Sequence, residues 1–254
     1  MYGTTGVDKS GAAMQKLDLG SEADSFAQGG NRLCFFHPMD AGKCVKTLRK
    51  DRSPELKQKE KGIKGWLKPL SSFDDNQQEY STFLRIADIY GPQALQFIPR
   101  CYGMVATNHG PGLVTDLVRD FDGAISMTLK QYVWIHGNTP RVKNCIAAFQ
   151  QAWETIGLPS RNLLLHNIVV QLTAEDTIQR LVVIDGLGWA DVLPFGWWSR
   201  TLARAKAARK AERLTEAIEA LLEIKRTNGD WGYHGWMEPA QRYAGVSTAP
   251  VATS

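Results

Sequence analysis

The chain has 254 residues, 43% of them hydrophobic and 22% charged, with a formal net charge of +4. That length allows one sizeable domain or two small lobes sharing a cleft, and so small a positive excess gives no argument for a specific nucleic-acid partner. Cys34, Cys44, Cys101 and Cys145 form no CxxC pair and no metal-ligand spacing with the five histidines, so they read as small core residues rather than a disulfide framework or a zinc site. There is no transmembrane segment and no basic-then-apolar start, and a cytoplasmic setting is the default expectation.

In chain order, residues 1–16 are polar and aperiodic and read as a disordered leader. Residues 24–28, 33–37 and 43–48 alternate as three strands of an antiparallel meander, with Gly29-Gly30-Asn31-Arg32 at the first turn. A basic tract, residues 49–68, sets eight Lys and Arg against three acidic residues. It reads as a solvated loop leading into a helix, or as a surface for an anionic ligand or acidic partner. Residues 76–90 have helical spacing, with Tyr80, Phe83, Leu84 and Ala87 as the apolar stripe and Glu79 beside it, and Gly91-Pro92 ends them. Residues 95–102 and 104–107 read as two strands, followed by a tight turn at 108–112 and an apolar run at 113–118. Five strands and one helix make an N-terminal lobe over 17–119.

The acidic, glycine-containing stretch 120–123 reads as a connector into a reduced, mainly helical C-terminal lobe over 120–226. Helices are predicted at 129–136 and 142–156, the second with Val142, Ile146, Phe149, Trp153 and Ile156 on one face. A strand–turn–strand unit follows at 168–170 and 181–184, then a Gly/Trp-rich loop and one long helix over 199–226. The first half of that helix is basic, with Arg200, Arg204, Lys206, Arg209, Lys210 and Arg213. Residues 227–254, with Trp231, Tyr233 and Trp236 among glycines, are expected to be a largely flexible tail.

The chemistry is carried by the order of six features. Gly29 and Gly30 leave room for backbone N–H groups to approach phosphates, since no Cβ intervenes. Lys46 supplies a positive charge to those phosphates, and Glu79 fixes it through an ion pair across the strand–helix contact. The connector follows, and the strand–turn–strand unit then presents Asn167 and Asp185 at neighbouring strand ends. There an amide oxygen and a carboxylate supply the hard ligands that Mg²⁺ prefers. Each feature alone is commonplace: a glycine pair is usually a plain turn, and a strand lysine or helix glutamate a surface charge. Their order points to a cleft for ATP and Mg²⁺. One position departs from the pattern: five residues before Asn167, where a kinase-type loop carries the aspartate that orients or deprotonates the acceptor hydroxyl, the chain has Asn162. Asn162 can orient a hydroxyl but cannot take its proton, and His166 is the neighbouring alternative base.

The runs Asn31-Arg32-Leu33-Cys34, His37-Pro38-Met39-Asp40 and Cys44-Val45-Lys46 resemble the start of the PhoP regulatory network protein YrbL family. So do 102–107 leading into Asp120-Phe121-Asp122-Gly123, residues 163–167, Asp185, Trp198-Ser199 and 209–214; the resemblance covers about residues 24 to 226. It implies a bacterial, cytosolic protein of protein-kinase-like fold, whose relatives are expressed under Mg²⁺-responsive PhoP control. The expected fold is therefore α+β and two-lobed, a small antiparallel-sheet lobe with one helix above a reduced helical lobe. Two functions remain open. One is a slow phosphotransferase using Lys46 and Asn162 on a small anionic acceptor. The other is a catalytically inactive, nucleotide-dependent protein that regulates or binds a partner.

Overall fold

The computed structural model describes residues 16–189 and 200–245. The leader apart from Lys16, most of the Gly/Trp-rich loop with Trp198 and Ser199, and the end of the tail lie outside the described residues.

Strands β1 (Ala27–Gln28), β2 (Arg32–His37), β3 (Asp40–Leu48), β4 (Cys101–Thr107) and β5 (Gly110–Asp116) form an antiparallel sheet in the order β1-β2-β3-β5-β4. Alternation sends Leu33, Phe35, Val45 and Val114 to one face, where they pack with Leu19 in a small cluster. Gly112 is needed where β5 crosses β3, because a Cβ there would stand 2.6 Å from Val45 Cγ1. The two strands expected at 95–102 and 104–107 are one: β4 runs continuously past a register shift between Cys101 and Gly103, and Leu95 belongs to a 3-10 turn, Gly91–Gln96. Pro92 starts that turn, which explains why an apolar run failed to become a strand.

The lobe also holds more than the one helix expected. Short helices α1 (Pro54–Glu60) and α2 (Ile63–Trp66) occupy the basic tract, and Ile63, Trp66 and Leu67 are exposed there. Helix α3 (Asp75–Tyr90) starts where the Asp74 carboxylate accepts from Gln77 N–H and ends at Gly91, whose φ is +63°. Its buried face is Asn76, Glu79, Thr82, Phe83 and Ile86, while Leu84 is exposed. The inward stripe is thus displaced from the apolar one, since three polar residues, Asn76, Glu79 and Thr82, lie inside.

Below the connector, β6 (Met127–Thr128), β7 (Ile168–Ala174) and β8 (Thr177–Val183) form a second antiparallel sheet. Helix α4 (Leu129–His136) is capped by Thr128, and α5 (Pro140–Ile156) by Thr139 with Pro140 in its first turn and Gly157 left-handed at its end. Helix α6 (Arg200–Arg226) buries Ala207, Ala211, Leu214, Ile218 and Leu221 against them. Trp153, fully buried, lies beside Phe149 and Phe97 with ring centroids 5.3 and 6.3 Å away. The main core crosses the lobe boundary: Phe83, Ile86, Ile98 and Leu113 pack into the same cluster as Val133, Phe149, Ile168 and Leu214. Val183 N–H also donates to Phe97 O over 2.7 Å, stitching β8 to the segment behind α3.

The tail differs from expectation, for residues 227–245 are docked. Lys130 Nζ donates to the carbonyls of Trp231 and His234, Gln131 and Met237 exchange two bonds, and Trp231 stacks edge-on between Trp134 and Trp236. A last short helix, α7 (Pro239–Arg242), then brings Arg242 to the connector, where Nη2 lies 2.8 Å from Asp120 Oδ2. Tyr243 OH donates to Asp122 Oδ2 at 2.6 Å. Asp120 also accepts from Ser126 Oγ and Leu172 N–H and is almost fully buried. Burial pushes its carboxyl pKa up, and the two hydrogen bonds and Arg242 oppose that. Replacing Arg242 with Ala removes the cation paired with the buried Asp120 carboxylate. A loss on the order of 3 kcal/mol is expected in urea unfolding at pH 7, with Tyr243→Phe losing far less because Asp122 is nearer solvent.

Candidate active site

The site is built where β3, α3 and the end of β8 meet. Lys46 lies in the inner half of β3, opposite Cys34 on β2 and Leu113 on β5, so its stem is buried by both neighbours. Its Nζ lies 2.8 Å from Glu79 Oε1 and donates to Ile184 O at 2.8 Å. One turn before Glu79 on α3, fully buried Asn76 donates from Nδ2 to Lys46 O at 2.8 Å and to Pro111 O at 3.3 Å. Asn76 therefore clamps the helix to the strand at the residue whose side chain Glu79 must reach. Burial is the largest influence and works against the Lys46 charge, but Glu79 and Asp185 together with lesser neighbours outweigh it, and the ammonium pKa ends above its ordinary value.

Arg32, at the start of β2, completes the cluster. Its Nη1 is paired with Glu79 Oε2, and its Nη2 lies 2.6 Å from Asp185 Oδ2. Asp185 Oδ1 accepts from Gly186 N–H at 2.6 Å. Burial of Asp185 raises its pKa, but Arg32 and Lys46 more than reverse this and bring the carboxyl from 3.8 to about 2. Cys34 stands beside the same charges, and burial pushes its thiol up to about 12, which disfavours the thiolate.

The loop and the hairpin end are held together by their backbones. Arg161 N–H donates to Gly186 O at 2.7 Å, Ile184 N–H to Asn167 O at 2.8 Å, and Ser160 bridges to Leu187. Gly186 has φ +76°, and a Cβ on it would stand 2.9 Å from Asn162 O and 3.1 Å from Asn167 Nδ2. Only glycine therefore lets the Asn162 carbonyl and the Asn167 amide approach the backbone just after Asp185 so closely.

A cleft of about 280 Å³ opens between the lobes, lined by Gly29, Gly30, Lys46, Glu79 and Asp185 with Arg32 among them. Gly30 faces open space and Gly29 has only Arg32 O near its missing Cβ, at 3.7 Å, so the turn leaves its backbone approachable. Asn162 is exposed and faces a different hollow, of about 480 Å³, shared with Lys130, His166, Lys210 and Arg213. His166 packs on the docked tail, its ring 5.3 Å from that of His234, and burial first, then His234 and Lys130, lower its pKa. Asp185 lines the interlobe cleft and Asn167 does not, although its amide stands beside Gly186; a carboxylate and an amide oxygen from these two would suit Mg²⁺, which retains waters and shares ligands with phosphate. Among the described residues no three His, Cys, Asp or Glu side chains gather, so no cage of protein ligands alone is formed there.

A buried strand lysine paired to a helix glutamate, facing a hairpin-end aspartate across two lobes, defines a protein-kinase-like fold. The chain belongs to the PhoP regulatory network protein YrbL family, whose model matches residues 17–219. The YrbL proteins of Escherichia coli (strain K12) and Shigella flexneri are each 28% identical over 208 residues, covering 76% of this chain and 82% of theirs. Among solved structures, the Mycobacterium tuberculosis PknI kinase domain aligns with a TM-score of 0.36 and 12% identity, over 73% of this chain and 63% of that one. Rad53 1–466 in complex with AMP-PNP aligns with a TM-score of 0.45 and 13% identity, over 87% and 49%. The chain thus spans about half to under two thirds of those kinase chains.

Arg32 and Asn76 were missed by sequence reasoning. Arg32 read as the last turn residue, and Asn76 as a polar helix start; the only signal was that Asn76 and Glu79 lie three apart on the same helical face. The low Asp185 pKa fixes an acid limb. A carboxylate whose folded pKa is depressed contributes stability above its unfolded value of 3.8, and that contribution is lost as pH falls toward 2. Asp185→Asn is therefore expected to be less stable than wild type at pH 7, with the gap in unfolding midpoint closing between about pH 4 and pH 2.

Proposed function

We propose that this chain binds ATP with Mg²⁺ in the interlobe cleft. The observation that carries the reading is the buried Lys46–Glu79 pair, 2.8 Å long and hydrogen-bonded onward to Ile184 beside Asp185. The Gly29-Gly30 backbone and Lys46 would meet the phosphates, while Asn167 and Asp185 would hold Mg²⁺. When bound, that ion supplies charge neutralisation to the phosphate oxygens.

On this site the chain acts as a slow phosphotransferase. Positioning and charge do most of the work of phosphoryl transfer. Asn162 can orient an acceptor hydroxyl by hydrogen bond but leaves its proton to solvent. The absent base accounts for ~10²–10⁴-fold in rate, or about 3–5 kcal/mol of barrier. Arg213, in the same hollow as Asn162, suits a small anionic acceptor.

A second reading is favoured by one observation, the tail packed on His166. That contact packs the loop's other candidate base against His234, which suits a catalytically silent, nucleotide-dependent protein that signals to a partner. The experiment is a thermal shift with millimolar MgATP followed by turnover. Saturation at 100 times Kd stabilises by about 2.7 kcal/mol, and Lys46→Ala is expected to abolish the shift. For the slow enzyme, Asn162→Asp raises ATP turnover by ~10²-fold and Asp185→Ala removes it. Binding without turnover in every variant supports the silent reading, and no shift at all sinks both.

A further inference from the structure

Among the described residues, Arg32 alone is paired with both carboxylates of the cleft. It is nine-tenths buried, it follows the Gly29-Gly30-Asn31 turn, and its guanidinium fork reaches Glu79 with one nitrogen and Asp185 with the other. Lys46 is meanwhile occupied by Glu79 and Ile184 O. Two cations and two anions therefore balance with no added ion. Asp185 is satisfied twice over, Oδ1 by Gly186 N–H and Oδ2 by Arg32. A guanidinium is a donor-only group that cannot shed its charge. A dication on the same carboxylate would stand within a few ångströms of it, in a cleft where burial weakens screening.

We propose that Arg32 is a built-in counter-cation that competes with a divalent ion for Asp185, so that the Arg32–Asp185 pair and a metal on Asp185 exclude each other. The inference rests on the reading of Asn167 and Asp185 as metal ligands. Arg32 starts β2, and Asp185 follows β8 in the second sheet, so the pair also fastens one lobe to the other while the metal position is unclaimed. Displaced from Asp185 but still tied to Glu79, the guanidinium has a free edge beside the glycine turn, suited to a phosphate oxygen. Metal alone is then bound weakly, and metal with a polyphosphate cooperatively, because the anion gives the displaced Arg32 a new partner.

The test uses the full chain and Mn²⁺ as the probe, with free Mn²⁺ read by electron paramagnetic resonance in the absence of nucleotide. Arg32→Gln is expected to bind Mn²⁺ about tenfold more tightly than wild type, and Arg32→Gln/Asp185→Asn to lose that gain. Arg32→Lys keeps the charge but cannot bridge two carboxylates, and is expected to fall between; it decides the matter should Arg32→Gln fail to fold by circular dichroism. A non-hydrolysable ATP analogue is expected to tighten Mn²⁺ binding more in wild type than in Arg32→Gln. Mn²⁺ affinity unchanged or weakened in the folded Arg32 variants would overturn the proposal, as would a gain that survives Asp185→Asn. The nucleotide reading fails separately: if the analogue binds no variant while the Mn²⁺ difference stands, that reading is lost and the role of Arg32 is kept.

Discussion

Four charges, Arg32, Lys46, Glu79 and Asp185, are packed between two sheets and a helix, and their mutual pairing is the condition under which the rest of the chain can close. Arg32, Lys46 and Glu79 are each less than a tenth exposed and would each cost several kcal/mol to bury alone, whereas the Asp185 side chain is half-exposed at the cleft. The cluster is tolerated only if β2, β3, α3 and the end of β8 all arrive at the same place. Asn76 secures the first contact by bonding to the Lys46 backbone, and the glycine at 186 secures the last by allowing the loop to press against the hairpin end. Neither residue carries charge, yet both set distances that the charged groups depend on.

That dependence explains the shape of the hydrophobic core. A chain with two independent lobes would leave the charge cluster at a hinge, open to water at every fluctuation. Here Phe83 and Ile86 of α3 pack with the helices of the other lobe, and Phe97 accepts a hydrogen bond from β8. The helix that carries Glu79 is thereby anchored to the half of the molecule that carries Asp185. Only the small cluster around Phe35 and Val45 belongs to the upper sheet by itself.

Periodicity made much of the architecture legible. The meander, the face of α5, the hairpin after Ile168 and the long helix α6 follow from apolar spacing and from Gly and Pro punctuation. Lys46 and Glu79 stand out as a charge on a strand and a charge on a helix, and the structure has them in contact. What escaped is polar and long-range. Arg32 lies 47 residues from Glu79 and farther still from Asp185, and nothing local distinguishes it from a turn arginine. The α3 stripe misled because its inward face contains Asn76 and Glu79, which a count of apolar residues passes over. The tail looked loose for the same reason: Lys130, Gln131 and Asp120 hold it through backbone carbonyls and one guanidinium, contacts that leave no periodic trace.

The docked tail has a consequence for how the chain is made. Asp120 and Asp122, near the middle of the polypeptide, receive their last partners from Arg242 and Tyr243. During synthesis the connector therefore spends the time needed to add more than a hundred residues with a buried carboxylate lacking its cation. Both lobes can collapse in that interval, but the segment joining them is finished only when Arg242 and Tyr243 have been made and have emerged. Residues 239–243 are the clasp of the connector, and a nascent chain cut short before them would carry a nearly complete core around an unfinished joint.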